Sequence, residues 1–518
     1  MNGLLFHRIF VFCFIPFLKG VCRVTCMKYL YLLLLICFCG RGLAQEVPQS
    51  VRSLLAAQSM KGASFSLMVK EVHTGKVLCD YDAGRQLTPA SVMKLVTTAT
   101  ALELLGEEFR FATTLEYDGV IKEGVLHGNL YIKGSGDPTL GSAHFAAGKN
   151  SYRPSQNSFI PQWLQAVKKA GIRKIAGRVV ADESIFDVEG VSLKWVQEDL
   201  GSYYGAGSYG ISVFDNLYKL FLKSGAAGQR PALLHCDPAM SVIRFHNYLQ
   251  SARVQSDSTF IVGAPFASDR YLYGVVPANR ETIVLKGDIP DPALFLAIYL
   301  QEALEAKGIE VEQGASCYRL LQEAGVWHPA KREVLATTYS PSLLEIVEKT
   351  NHVSHNLFAD ALLKTIGLRY KVKKGEVISS FERGIKILRW HWAGKGFDLS
   401  PLWMYDGSGL AVTDKVSAAF MADLLCYMAT KSSASEAFVS SLPLAGEEGS
   451  VRNFLKGSAL QGKASFKSGS MSRVKSYAGY INKGNKRYAV AVIANNYAGE
   501  GRTMTRKIEQ LLLSLFKN

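Results

Sequence analysis

A helix and two strands near the start of this chain are matched by three strands and a helix near its end, so the two regions can share a sheet. From Gln49 to Met60, Val51, Leu54, Leu55 and Gln58 fall close to one helical face. Ala63–Val72 and Lys76–Tyr81 read as strands joined by the turn His73-Thr74-Gly75. Near the other end Lys463–Lys467 reads as a strand. Tyr477–Ile481 and Arg487–Ala494 pair across Asn482-Lys483-Gly484-Asn485, a strong hairpin signal. Arg502 to Phe516 follows as an amphipathic helix carrying Ile508, Leu511, Leu512 and Leu515 on its apolar stripe. A two-stranded hairpin is barely stable alone in water. One antiparallel sheet built from both regions and covered by helices, an α+β arrangement, satisfies all of these segments.

The sequence between them is long. With 518 residues the chain exceeds what one ordinary core serves, and two or three structural units are expected. From about 113 to 334 it is strand-rich, with Gly-, Pro- and Ser-containing breaks at Gly134-Ser135-Gly136-Asp137-Pro138, Lys149–Ser158 and Gly225–Pro231. One helix, Pro292 to Lys307, stands out within it. This stretch reads as an insertion with its own small cores.

The first 44 residues differ from the rest, with five Lys or Arg and no Asp or Glu. From Met27 they read as a secretory signal: Lys28, an apolar run from Tyr29 to Cys39, then Gly42-Leu43-Ala44 before Gln45. Cleavage after Ala44 would deliver a periplasmic or secreted protein, with translation starting at Met1 or Met27. A retained leader, the lesser reading, would leave the chain peripherally associated with a membrane. Without the leader 54 basic residues face 44 acidic ones, a charge of +10 that suits an anionic polymer. The basic residues are scattered and form no Arg-rich tract, which speaks against nucleic acid as the partner. Five of nine cysteines lie in the leader; Cys79, Cys236, Cys317 and Cys426 remain, widely spaced and read as small buried hydrophobes.

Three short motifs carry chemistry. Thr88-Pro89-Ala90-Ser91 leads into an Ala/Leu/Thr-rich helix that runs to Leu105 and is closed by Gly106, with Lys94 three residues after Ser91. Positions i and i+3 share a helical face, so hydroxyl and amine can meet, and a neutral amine can take the serine's proton. Ser-x-x-Lys alone recurs about once or twice by chance in such a composition and means little. Ser354-His355-Asn356 lies in a predicted helix from Leu343 to about Leu368, where the hydroxyl could relay a proton and the amide could hold a substrate amide. Lys467-Ser468-Gly469-Ser470 ends the strand beside the closing hairpin, where an edge can take a peptide as an added strand. Gly469 permits close backbone approach, Lys467 and Ser468 can bind a carboxylate, and a second cation together with desolvation would lower the pKa of Lys94.

Taken together, the motifs resemble the D-alanyl-D-alanine carboxypeptidase/endopeptidase family often called penicillin-binding protein 4, the class C low-molecular-mass penicillin-binding proteins of peptidase family S13. Further likeness lies in Gly134–Leu140, Asp406-Gly407-Ser408-Gly409-Leu410, Leu442–Gly446 with Gly449-Ser450, and the long spacing from Lys94 to Ser354. The resemblance implies a penicillin-binding/β-lactamase-like transpeptidase fold. Residues 45–112 and 335–518 would be two parts of a catalytic domain, interrupted by accessory structure over 113–334. It implies Ser91 as acylated nucleophile, Lys94 as base and Ser354 as proton relay. Asn356 would orient substrate, Lys467 and Ser468 would hold a terminal carboxylate, and the backbone N–H groups of Ser91 and Ser470 would form an oxyanion hole. Trp195–Gly205 resembles the family segment that returns to the site, making Asp199 and Tyr204 candidates for recognising a diamino-acid side chain. The implied partners are peptidoglycan stem peptides, with β-lactam antibiotics as covalent inhibitors.

Ser468 replaces the usual threonine and keeps the hydroxyl; His355 stands where aspartate is usual. A β-lactamase would need a water-activating Glu-x-x-Leu-Asn pattern, which is absent. A transpeptidase differs only in the acyl acceptor, and a degenerate wall-binding module is the non-enzyme alternative. The ten histidines, His352 and His355 among them, form no His-Glu-x-x-His or Cys/His motif, so neither a metal nor another cofactor is expected. If His355 tunes the pH dependence, His355→Asn shifts the pH–rate profile; an unchanged profile removes that role.

Overall fold

The computed structural model describes residues 47–145 and 159–517, so the expectations for the leader, residues 1–44, and for the break at 149–158 lie outside the described residues. The two regions do share a sheet. Strands β1 (Ser64–Glu71), β2 (Val77–Tyr81), β3 (Ala464–Met471), β4 (Val474–Lys483) and β5 (Lys486–Asn495) lie side by side in the order β2-β1-β5-β4-β3, every pair antiparallel. β1 pairs with β5 over its full length, from Ser64 opposite Asn495 to Glu71 opposite Tyr488. The hairpin expected around residue 484 turns tightly at Gly484-Asn485, with Gly484 in the left-handed region that a two-residue turn requires.

Alternation along the strands explains both faces. Met68, Ala478, Tyr480, Ala489, Ala491 and Ile493 belong to a core with the helix Ala418–Thr430, and the Tyr480 hydroxyl donates to Leu425 O. Odd-numbered positions of β4 point the other way: Tyr477 Oη lies 3.2 Å from Thr505 Oγ1 in the helix Gly501–Leu515. That helix buries Met504, Ile508, Leu511 and Leu512 while staying polar outside.

Helix α1 (Lys94–Leu105) runs within the first core and is buried along every residue from Lys94 to Leu102. A helix without a polar face cannot sit at a surface. Its threonines are satisfied internally, Thr98 Oγ1 donating to Lys94 O, Thr100 Oγ1 to Val96 O and Thr97 Oγ1 to Gly407 O. As expected, Gly106 ends it, at φ 84.

The predicted single helix from Leu343 to Leu368 is two helices, α2 (Leu343–Val353) and α3 (Asn356–Gly367). Ser354 adopts φ 61, ψ 42 between them, and the left-handed residue stops α2. α3 crosses the helix Ser380–Gly394 at two facing glycines: a Cβ on Gly384 would lie 2.3 Å from Leu363 O, and one on Gly367 2.6 Å from Gly384 N.

The chain leaves this unit on the strand Ala112–Tyr117 and returns on Glu333–Tyr339, and the two pair antiparallel from Ala112–Tyr339 to Tyr117–Glu333. Between them lie several small sheets and the helix Pro292–Glu305, capped by Asp291, around a second core that includes Leu130, Trp163, Leu220 and Leu296. From Gln49 on, the described chain is one compact unit. Cys79, Cys236, Cys317 and Cys426 are all free, and burial pushes the Cys79 thiol up to about 11. Among the described residues, no helix is long and apolar enough to cross a membrane.

The glycine crossing generates a prediction. Gly384→Ala forces the two helices apart and costs roughly 1–3 kcal/mol, read as a lower denaturant midpoint at unchanged m-value; an unaltered midpoint would show that the crossing is loose.

Candidate functional site

The nucleophile candidate is placed by the central sheet. Asn495, at the end of β5, accepts from Thr88 N (2.8 Å) and donates to Thr88 O (3.0 Å), while Ser476 Oγ of β4 donates to Pro89 O (2.5 Å). Ala90 then takes φ 49, a left-handed conformation that costs a non-glycine residue on the order of 1–3 kcal/mol. Ser91 sits in a 3₁₀ turn, Ala90–Met93, and only Lys94 begins the α-helix. In that tighter turn residues i and i+3 stand almost directly above one another. Lys94 Nζ donates to Ser91 Oγ at 2.9 Å.

Lys94 is fully buried and has two further acceptors, Asn356 Oδ1 (2.6 Å) and Ser408 O (2.7 Å). Burial lowers its pKa to about 8, partly opposed by Asp360, Asp406 and Asp414. The Ser408 carbonyl is aimed by a tightly wired loop. The Asp406 carboxylate accepts from the backbone N–H groups of Ser408 (3.0 Å), Gly409 (2.6 Å) and Ala411 (2.8 Å), and from Trp195 Nε1 (2.7 Å). Asp360 Oδ1 accepts from Gly407 N (2.7 Å). Gly409 has φ 76, and a Cβ there would lie 2.1 Å from Ala90 O. Burial, then the neighbouring Asp406 carboxylate, push the Asp360 and Asp414 carboxyls well above the ordinary carboxylate range.

The break between α2 and α3 turns Ser354 towards β3. Lys467 Nζ donates to Ser354 Oγ (2.8 Å) and to Ser468 O (2.8 Å). Lys467 is also fully buried, and burial followed by repulsion from Lys94 holds it well below 10.5. Desolvation is the main cause that lowers Lys94, as expected, and the two buried amines repel one another.

β3 runs on to Met471, past the predicted end at Lys467, and is the sheet edge. Phe466 N donates to Pro443 O (3.1 Å) and Ala464 O accepts from Ala445 N (2.8 Å), so the segment 443–445 covers the first half of the edge. By the strand period Ser468 and Ser470 present their backbone groups in the same direction, beyond that cover. Ser468 Oγ lies 2.9 Å from Ser450 Oγ. A Cβ on Gly469 would meet Ser476 Oγ at 2.2 Å, Pro89 O at 2.7 Å and Ser91 N at 3.0 Å, so only glycine lets the strand pass this close to Ser91.

The insertion contributes one side of the site. Asn356 Nδ2 donates to Tyr204 O (2.8 Å), and Trp195 holds Asp406. Asp199 joins through its side-chain hydrogen bond with Tyr204, and burial raises it to about 6 against that bond. Ser91, Lys94 and Asn356 thus form one linked network, and Lys467, Ser354 and Ser468 a second, with Gly469 packed against Ser91. Sequence reasoning assigned no role to Asp360, Asp414 or Asn495. It quoted Asp406 and Ser408 only as part of a likeness, although Asp-Gly-Ser-Gly is itself a turn signature.

Residues 47–515 match the D-Ala-D-Ala carboxypeptidase 3 (S13) family. The chain belongs to this family. It is 27% identical over 465 residues to the D-alanyl-D-alanine carboxypeptidase of an Actinomadura species, covering 88% of this chain and 82% of that protein. It is 23% identical over 452 residues to the D-alanyl-D-alanine carboxypeptidase DacB of Haemophilus influenzae, covering 86% and 88%. The crystal structure of penicillin binding protein 4 from Haemophilus influenzae superposes with a TM-score of 0.75 at 22% identity, over 90% of this chain and 99% of that one. The fold is therefore the penicillin-binding α+β fold, and the family makes the chain a serine hydrolase of the D-Ala-D-Ala carboxypeptidase class.

The depressed lysine generates a pH prediction. The rate at which a serine-directed probe modifies Ser91 climbs about tenfold per pH unit while Lys94 is protonated, and levels off above about 8. A rate flat from about pH 6 to 9.5 would contradict a lysine base. The same shift makes unfolding take up a proton between about 8 and the ordinary 10.5, so the contribution of Lys94 to stability rises with pH across that window.

Proposed function

We propose that the protein cleaves the terminal D-Ala-D-Ala bond of peptidoglycan stem peptides through an acyl-enzyme on Ser91, and opens D,D-cross-links by the same route. The observation that carries this reading is the 2.9 Å hydrogen bond between Ser91 Oγ and a buried lysine amine whose pKa is lowered to about 8. Such an amine is neutral often enough near pH 7–8 to take the serine's proton as Oγ attacks the carbonyl. The backbone N–H groups of Ser91 and Ser470 would receive the oxyanion. Collapse of the tetrahedral intermediate breaks the peptide bond and forms the Ser91 ester, while Ser354 relays the proton taken up by Lys94 to the departing D-alanine amine. Water then attacks the ester and restores Ser91.

Lys467 and Ser468 would hold the terminal carboxylate. Lys467 is held towards its neutral form without substrate, and an arriving carboxylate supplies the counter-charge that favours its ammonium. The substrate backbone would add to the edge of β3 beside Ser468 and Ser470. Asn356 would hold the substrate amide. Asp199 and Tyr204 would face the diamino-acid side chain, where a substrate ammonium would draw the Asp199 carboxyl, now near 6, into its charged form.

A β-lactam presents a strained amide beside a carboxylate, so the same groups would acylate and retain it. Penicillin binding protein 4 of Haemophilus influenzae has been crystallised with a novel β-lactam. We place the mature protein in the periplasm or outside the cell, with residues 1–44 as cleaved leader and 113–334 as accessory structure inserted in the catalytic domain. The two hydrogen-bonded networks, packed together where Gly469 meets Ser91, weigh against the degenerate wall-binding module.

Fluorescent penicillin is expected to label the protein, and Ser91→Ala to abolish labelling. Muropeptides should yield free D-alanine, and cross-linked dimers should be split. Labelling that persists in Ser91→Ala refutes the nucleophile, and neither product from muropeptides favours the binding module.

A further inference from the structure

The loop that carries Ser354 and Asn356 holds a third side chain that the peptidase chemistry leaves unused. His355 lies in a cluster with His144 and Asp215, both from the 113–334 stretch. One ligating atom from each of the three lies within 4.8 Å of the others. His355 Nε2 stands 3.5 Å from Asp215 Oδ1, and the two imidazoles meet edge to face with centroids 5.2 Å apart. Phe358 stacks on His355 at 3.9 Å and fixes its ring plane. Asp215 is buried, with 4% of its surface exposed, and His355 Nε2 meets its Oδ1 only at the outer limit of a hydrogen bond. A cation placed between the imidazoles and this oxygen would satisfy it more fully than that long contact does.

We infer that His144, Asp215 and His355 form a binding site for a divalent transition metal of the zinc type. Two imidazole nitrogens and one carboxylate oxygen are the donors such ions prefer, whereas magnesium and calcium favour oxygen alone. Zinc–ligand bonds of about 2.0–2.1 Å in tetrahedral geometry place ligand atoms about 3.3 Å apart. The His355–Asp215 pair is already close to that spacing, and an adjustment of the exposed His144 side chain, on the turn Ala143–Phe145, would close the remainder. Three protein ligands leave a fourth position for water. Reading the histidines singly along the sequence hid the set, because its members come from positions 144, 215 and 355.

The site links the insertion to the two-residue joint between α2 and α3. A bound ion would hold His355, and with it the backbone that presents Ser354 and Asn356; the site is thus a clasp on the peptidase centre and not part of its chemistry. Only this consequence rests on the proposed acylation at Ser91, whereas metal binding stands apart from it.

Titrating the tag-free protein with Zn(II) by calorimetry tests the inference, using His144→Ala and Asp215→Asn as comparisons. One equivalent should bind per chain, about tenfold or more weaker in each variant, and Co(II) should give the visible absorption of a four-coordinate site in the wild type alone. His144 is exposed, so His144→Ala keeps the fold, checked by circular dichroism, even if Asp215→Asn does not. No zinc uptake, or equal affinity in wild type and His144→Ala, overturns the site. Loss of penicillin labelling with zinc binding intact would instead count against the acylation reading.

Discussion

An amine without water governs this structure. Lys94 Nζ has exchanged its hydration for three oxygens, on Ser91, Asn356 and the Ser408 carbonyl, and each comes from a different part of the chain. Removing the ammonium from water favours the neutral form, which on the proposed mechanism would serve as a base beside the serine hydroxyl. Three carboxyls lie behind it, yet burial holds two of them towards their protonated forms, so the pocket does not simply restore the charge. Much of the surrounding architecture keeps this arrangement dry and in register. α1 is buried over its first nine residues, Thr97 and Asp360 fix the Gly407 backbone, and the Asp406 side chain nucleates the loop that presents Ser408.

The insertion belongs to the same construction. Trp195 donates to Asp406 and the Tyr204 carbonyl accepts from Asn356, so both acceptor-bearing groups opposite Ser91 are positioned partly by residues far from them in sequence. Lys364 on α3 extends the tie, donating from a buried ammonium to the carbonyls of Glu189 (2.5 Å) and Ser208 (2.7 Å). Burial lowers this lysine too, to about 8, but both its acceptors here are backbone carbonyls.

The sequence disclosed the sheet because strand alternation and turn chemistry are local. Gly484 and the apolar positions of β4 and β5 were enough to pair those strands. It disclosed the motif residues because they lie three positions apart or less. The break between α2 and α3 was hidden. Apolar spacing continues from Ile346 and Val347 through to Leu357 and Phe358, so nothing local signals that Ser354 is left-handed; the conformation is imposed by its place against β3. β3 was cut short because Lys467 turns into the site and Gly469 has no side chain, which erases the alternation over its second half. Nothing local in the sequence marks Asp360 or Asp414, and only the fold brings them with Asp406 close to Lys94.

If the neutral amine of Lys94 activates Ser91, replacing it with a group that stays charged should stop acylation while leaving the fold intact. Arginine is such a group. The decisive measurement is mass spectrometry of the tryptic peptide spanning residues 86–94 after exposure to benzylpenicillin, in the wild type and in Lys94→Arg. The wild type should carry the penicilloyl adduct on Ser91, and the folded variant should carry none. An adduct formed on Ser91 at the same rate in Lys94→Arg would contradict a lysine base.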